Sequence, residues 1–213
     1  MLEVSSAMSS PLWLTTPCYM VLATKLFVEP KEYSVSTLPA PGLSHQIAAG
    51  APTGHWILDP KQSNIGLQSK SMWGMMAIKG TFTDVSGEGE LGHDGSATGT
   101  LTIAAASIDT KNAKRDTHLK SKDFLSADDH PNMILNVTSI NPAADGVRVV
   151  GTLSAVGKTI PLSFPATLAI TANTAVLDAT VPIDRSELGL TWNQLGMASM
   201  KNNLNAHLEF THA

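Results

Sequence analysis

Asn203-Leu204-Asn205-Ala206-His207-Leu208-Glu209-Phe210 alternates without a break, with apolar side chains at the even positions and polar ones at the odd positions. A period of two is what a half-buried strand requires, since successive side chains point to opposite faces. The segment therefore predicts a sheet with one greasy face and one wet one. Working back from it, the same pattern recurs between turn residues. Ala172-Asn173 turns the chain into an apolar run from Val176 to Ile183, and Val156-Gly157-Lys158 leads into Ile160, Leu162 and Phe164. Pro161 and Pro165 in that strand predict an edge or a bulge, because proline has no N–H for a ladder. Asp145-Gly146 separates Met133, Leu135 and Val137 from Val147, Val149, Gly151 and Leu153, as a hairpin would. Further toward the N-terminus, Leu101 and Ile103 alternate with threonines, His93 to Ser96 (HDGS) predicts a hairpin, and Gly87 and Gly89 predict bends. Trp56, Leu58, Ile65, Leu67, Met76, Ile78 and Phe82 complete the series. About eight antiparallel strands without alternating helices exclude a parallel α/β fold and leave a barrel or a sandwich, between which periodicity does not choose.

One stretch breaks the pattern. Ser107 to Pro131, SIDTKNAKRDTHLKSKDFLSADDHP, carries ten of the 32 charged residues of the chain and contains no glycine. Its Lys, Asp and Ala content suits one or two short helical turns, with Leu119, Phe124 and Leu125 as apolar anchors. A long polar connection able to pin itself down is more often a lid or rim than a linker.

The same stretch carries a resemblance. SIDT at Ser107 to Thr110, RD-x-HL-x-S-x-DF at Arg115 to Phe124 and His130-Pro131 resemble the signature of the YceI-like family of polyisoprenoid-binding proteins. W-x-L-D at Trp56 to Asp59, MWG followed by KGTF at Met72 to Phe82, and VPIDRSELG at Val181 to Gly189 add to it. The resemblance covers about residues 54 to 212. It implies an all-β, lipocalin-like antiparallel barrel of about eight strands, with a short helical connection, around an internal pore that holds a long isoprenoid chain. On that expectation the pore is lined by Ile65 and Leu67, by Trp73, Met76, Ile78 and Phe82, by Leu101 and Ile103, and by Phe124 and Leu135, with Arg115 and His118 at its mouth. Arg115, beside Lys114 and Lys120, suits the phosphate of a polyprenyl phosphate, since a guanidinium offers paired donors. A one-residue slip would reverse every inward assignment.

Residues 1–52 differ from the rest. Pro, Ser, Thr and Ala dominate there, and prolines interrupt every apolar run, so a poorly ordered extension is expected ahead of a single domain over residues 53–213. The first basic residue is Lys25 and Glu3 is acidic, which does not suit a secretory signal, and Leu12 to Val28 is too short and proline-broken for a membrane span. A cytoplasmic location is the expectation, with the periplasm or the exterior as the alternative. The chain has 213 residues, 43% of them hydrophobic, and a net charge of −4 with acids and bases interspersed. That balance does not suit binding to a nucleic-acid backbone. The single Cys18 precludes an intrachain disulfide. Monomer and homodimer are both open.

The chemistry-bearing residues cluster at Asp109, Arg115, Asp116 and His118. A hydrolase or isomerase reading would have Asp116 orient His118, with Ser107 or Ser121 as nucleophile. Nothing resembles a nucleophile elbow, and an ion-pair network packing the rim, with Arg115 against Asp109 or Asp116, accounts for the same residues. The expectation is a binding protein without catalysis. His118, His130, Asp128 and Asp129 match no zinc spacing, so neither a metal nor a cofactor is expected. Arg185 is expected to pair with Asp184 or Glu187 at a barrel end.

Overall fold

The computed structural model describes residues 50–71, 74–193 and 198–213. The expected N-terminal extension lies outside these residues except for 50–52, and Trp73 lies outside them too.

The alternation at the C-terminus is built as β11 (Lys201–His212), and this strand closes the fold. Along one edge it pairs with β10 (Thr174–Asp184), from Thr174 opposite Thr211 to Asp184 opposite Lys201. Along the other edge it pairs with β1 (Gly54–Leu58) through Trp56 and His212, and with β2 (Asn64–Ser71) through Ile65 and Ala206. β1 and β2 are one stave with a break at residues 59–63, where Asp59 N–H donates to Glu209 O at 2.8 Å and Glu209 N–H to Ser63 Oγ at 3.0 Å. β3 (Met76–Phe82) and β4 (Val85–Leu91) form a second broken stave, and β5 (Ala97–Ala104) and β6 (Ile108–Asp109) a third, joined by the 3-10 turn Ala105–Ser107. Unbroken staves follow: β7 (Asn132–Ala143), β8 (Gly146–Ala155), β9 (Lys158–Ile170), β10 and β11. Each stave is antiparallel to its neighbours, and the ring closes as an eight-stave up-and-down barrel. The barrel expected from the resemblance is the fold observed.

Connections in such a barrel alternate between its ends. Tight turns at residues 91–97, 143–146 and 170–174 cover one end; the β2–β3 turn, the β8–β9 turn and the two long connections 105–131 and 185–200 crowd the other. In the first long connection lies the helix α1 (Ala113–Lys120), capped at its start by the Asn112 side chain, which accepts from the Arg115 N–H at 3.0 Å, and the Ser121 hydroxyl donates back to His118 O at 2.7 Å. The end that carries α1 is the lid end. Among the described residues no helix is long and apolar enough to cross a membrane.

One expectation about particular residues changes. Gly87 and Gly89 are not bends; they lie within β4 facing Leu101 and Gly99 on β5, on the inner wall. A register shift lies in β7, between Val137 and Ser139 against β8. Pro161 and Pro165 do occupy an edge, because β10 pairs with β9 only from Ala166 to Ile170. Inward residues are Val147, Val149, Leu153, Phe164, Leu168, Val181 and Ile183 from the later staves, and Leu58, Ile65, Phe82, Val85, Leu101 and Ile103 from the earlier ones.

Gly151 stands beside the β7 irregularity. A Cβ there would lie 2.1 Å from Asn136 O, whereas a Cβ at Gly66 meets nothing nearer than 3.8 Å. Gly151→Ala is expected to lose roughly 3 kcal/mol through overpacking against backbone, and Gly66→Ala to stay within about 1 kcal/mol. Urea denaturation of both variants checks this; equal stability would mean that the neighbouring strand yields.

Candidate ligand-binding site

Because each stave alternates, half of its side chains point into the ring, and they leave space rather than filling it. Two chambers result. The far one, about 160 Å³, lies toward the tight turns between Trp56, Leu91, Phe164, Leu168, Ala175 and Phe210; the lid chamber, about 290 Å³, lies under α1. Ile103, Leu153, Ile183 and Leu204 belong to the walls of both, so the two chambers adjoin along the barrel axis.

Ile65, Leu101 and Leu135 line the far chamber, Ile103 lines both, and Leu67, Ile78, Phe82, Arg115, His118 and Phe124 line the lid chamber. Met76 does not belong to this set. It shares the inward face of β3 with Ile78 and Phe82 but stands at the first position of the strand, 51% exposed and beyond the cavity. Alternation predicts the face correctly and carries no information on where along the strand the cavity ends. The later staves supply as much of the wall as the earlier ones, and Leu153, Ile183 and Leu204 were legible only as strand residues, not as pore residues.

The lid is held by apolar anchors and by a polar relay. Ile108 is 2% exposed and packs, with Leu119 and Leu125, on the core of the early staves. Behind it, buried Thr110 donates its hydroxyl and its N–H to Asp116 Oδ1 at 2.5 and 3.0 Å, and receives Arg115 Nε at 2.7 Å on the hydroxyl and Nη2 at 2.8 Å on its carbonyl. Arg115 is thus linked to Asp116 through Thr110 and not by a direct ion pair, which corrects the expected pairing with Asp109 or Asp116. Asp109 binds Lys111 instead, at 2.6 Å. Arg115 Nη1 has no partner among the described residues.

His118 does not meet Asp116. Its Nε2 lies 3.3 Å from Asp123 Oδ2, and its ring stands edge-on to Phe124 and Trp192 at centroid distances of 5.1 and 4.7 Å. Both candidate nucleophiles are engaged elsewhere: Ser121 Oγ donates to His118 O and Ser107 Oγ to Ala104 O. The sequence places these groups within a few residues of one another, and the helix then turns them apart.

Arg185 is the residue that sequence reasoning placed least well. It is buried, at 4% exposure, and pairs with neither Asp184 nor Glu187. Its guanidinium donates to main-chain carbonyls of its own connection: Nε to Ser199 O at 2.9 Å, Nη1 to Leu190 O at 2.8 Å, and Nη2 to Trp192 O at 2.8 Å, with Ala198 O at 3.4 Å. It also lies 5.4 Å from the centre of the Phe124 ring. Burial draws its pKa down, partly offset by the charge of Asp184. Arg185 therefore clasps the second long connection and presents it to the lid through Phe124 and Trp192, whose rings are 5.1 Å apart. Its charge, with those of Arg115 and Lys70, belongs to a lid-chamber wall that includes no Asp or Glu among the described residues. Asn202, also on that wall, has a buried Oδ1 without a hydrogen-bond partner among the described residues.

Comparison with known proteins gives one family. The YceI-like domain profile matches residues 56–210. A UPF0312 protein of Staphylococcus aureus (strain USA300) is 29% identical over 150 residues, covering 66% of this chain and 84% of that one. Among solved structures, BcnA of Burkholderia cenocepacia superposes with a TM-score of 0.66 at 22% identity, covering 71% of this chain and 98% of that one. A polyisoprenoid binding domain from Saccharophagus degradans, described as implicated in plant cell wall breakdown, gives 0.60 at 15% identity, covering 74% and 98%.

Two outcomes follow for the clasp and the lid. Arg185→Ala is expected to cost roughly 3 kcal/mol, because it strands carbonyls that a charged donor satisfied. Arg185→Lys is expected to recover less than half of this, since an ammonium lacks the planar fork. Amide exchange over residues 185–193 reads both, and an unchanged rate in the alanine variant would refute the clasp. On the lid, Asp109 is held below the ordinary carboxylate range by the Lys111 side chain and then by its N–H, and Asp129 by Lys122 and then Ser126. Depressed carboxylates stabilise the closed lid fully above the ordinary pKa of about 4 and lose that contribution as pH falls through the lower folded value. Lid amide protection should be flat from about pH 8 to 5 and decline below about pH 4; a decline centred near pH 6 would implicate histidine instead.

Proposed function

Because the chain belongs to the YceI-like domain family, we propose that it binds, without catalysis, a long isoprenoid or similar amphiphile along the barrel axis, with an anionic head at the lid end. The observation that carries this reading is the pair of adjoining chambers, apolar toward the tight turns and bounded under the lid by Arg115, Arg185 and Lys70, with no Asp or Glu in its wall among the described residues. An apolar chain in the far chamber gains about 0.8 kcal/mol for each methylene removed from water, less the cost of ordering the chain. A phosphate in the lid chamber would meet Arg115, whose Nη1 has no partner among the described residues, in surroundings of low polarity that strengthen a charge-assisted bond. The likeness to the Saccharophagus polyisoprenoid binding domain supports the same reading. No observation favours the hydrolase or isomerase alternative, since His118 and Asp116 face different partners.

Native mass spectrometry of freshly purified protein, followed by solvent extraction, tests the proposal. A stoichiometric lipid is expected, and Ile103→Asp, which puts a charge in the wall shared by both chambers, should abolish loading while the barrel stays folded by circular dichroism. A folded Ile103→Asp protein that loads normally would overturn the axial site. For the head, Arg115→Ala is expected to weaken binding of a polyprenyl phosphate by about tenfold, the equivalent of one charge-assisted hydrogen bond, and to leave the uncharged polyprenol unaffected. Equal losses for both lipids would remove the anionic head from the reading and leave the chain-binding part standing. Turnover of a prenyl ester by the wild type, lost in His118→Ala, would instead make the protein an enzyme.

A further inference from the structure

β9 and β10 separate toward the lid end. Their ladder runs from Ala175 opposite Ile170 to Ala179 opposite Ala166 and goes no further. Yet β9 stays paired with β8 as far as Lys158, and β10 with β11 as far as Asp184. Carried on in the same register, the ladder would set Pro165 against Thr180, Ser163 against Pro182 and Pro161 against Asp184. Proline has no N–H, so it sits in a paired strand only where its nitrogen points away from the partner. Pro161 and Pro165 lie opposite Thr152 and Arg148 on β8, and Pro182 opposite Asn203 on β11, so all three nitrogens point into the gap. Hydrogen-bonded and non-bonded pairs alternate along an antiparallel ladder, which makes those three missing pairs the ones that would exchange bonds across it. Each contains one proline. A full ladder cannot form there, and the wall has a slit. Ala166 and Ala179 bound it on one side, and on the other Lys158 lies against the turn at Gly189, where φ is +76° and a Cβ would be 2.8 Å from Nζ.

Side chains shut this slit. Ile160, Phe164, Val181 and Ile183 are buried behind it, whereas its rims, Pro161, Ser163 and Pro165 with Thr180 and Pro182, are exposed and uncharged. Phe164 and Val181 line the far chamber and Ile183 lines both, so the slit runs beside the place where the chambers adjoin.

We propose that the slit is a lateral portal through which the apolar chain of the ligand enters and leaves the barrel, a reading that rests on the lipid-binding function proposed above. Parting the lid-end halves of β9 and β10 costs side-chain contacts but no ladder bond. Lifting the second long connection would instead break the Arg185 bonds to the carbonyls of Leu190, Trp192 and Ser199. Lateral entry also suits an amphiphile. Its chain is laid in along the axis, and its head reaches the lid chamber without crossing the apolar far chamber, where a polar group would lose its water uncompensated.

The rate at which the full chain takes up polyprenyl phosphate from detergent micelles, followed by native mass spectrometry, tests the portal. In a Cys18→Ser background, Ser163→Cys/Pro182→Cys puts one thiol on each rim, outside both chamber walls, to be bridged by a short bifunctional methanethiosulfonate and released by reductant. Bridging is expected to slow uptake by about tenfold or more, to leave the final loading unchanged, and to be reversed on reduction. The second variant, Pro161→Val/Pro165→Val/Pro182→Val, restores the three missing N–H groups. Its new amides are expected to be protected from exchange as the ladder extends, and its uptake to slow by about tenfold, the equivalent of one or two ladder bonds that must now break. Circular dichroism checks that both variants fold. Uptake at the wild-type rate by the bridged protein, or by a valine variant whose new amides are protected, would overturn the portal and spare the carrier reading. A wild type that takes up no lipid would reject both.

Discussion

Ring closure through β11 is the constraint on which the rest depends. That strand donates and accepts along both edges, toward β10 on one side and toward β1 and β2 on the other. Apart from the lid-end halves of β9 and β10, which do not pair with each other, the staves leave little open edge, and the ladder satisfies most of the wall's backbone without help from the interior. A sandwich of the same strands would be held by side chains meeting across its middle and would have to fill that middle. A closed barrel is held by its wall, and its interior is free to stay hollow. The apolar faces of the staves then serve twice, as the core near the wall and as the lining of the space along the axis.

Closure also explains why the two ends differ. Far-end turns are short, and the far chamber is walled by Trp56, Leu91 and Phe210. At the lid end the chain spends long connections, and these are joined to each other by rings and one buried cation rather than by sheet hydrogen bonds. Arg185 binds the carbonyls of its own connection and faces Phe124 of the other, while Trp192 meets His118. Such a junction is stiff where the guanidinium holds the backbone and softer where aromatic edges touch, because edge contacts are worth only about 0.5–1.5 kcal/mol each. The ring contacts across this junction are those of His118 and Phe124 with Trp192.

Sequence patterning went far with the strands and less far with the site. Leu204 to Phe210 announced their strand and their face, and so did Val147 to Leu153. Ile65, Leu67, Ile78, Phe82, Leu101, Ile103 and Leu135 are where alternation put them, because a period of two survives folding unchanged. Met76 obeys the same period and still lies outside, since the position of the rim is set by how the staves stagger. Arg185, flanked in sequence by Asp184 and with Glu187 close behind, read as one member of a surface ion pair. Its actual partners are carbonyls as far along the chain as Ser199, and a carbonyl leaves no mark in a sequence.

What the sequence determined by itself is therefore local and periodic: the strand class, the inward faces, most of the turns, and the charged connection with its short helix. Strand pattern left barrel and sandwich open and the family resemblance pointed to the barrel; the tertiary structure alone decided how the staves stagger as they close, that the inward faces leave two adjoining chambers, and that Asp116 serves Arg115 through Thr110 while His118 turns to Phe124 and Trp192. The physical reason is the range of the interactions. Strand pattern and turn propensity act over a few residues and are written into consecutive positions. Closure, stagger and the choice of hydrogen-bond partner depend on segments up to about 150 residues apart, such as Trp56 and His212, and are settled only when the wall is complete.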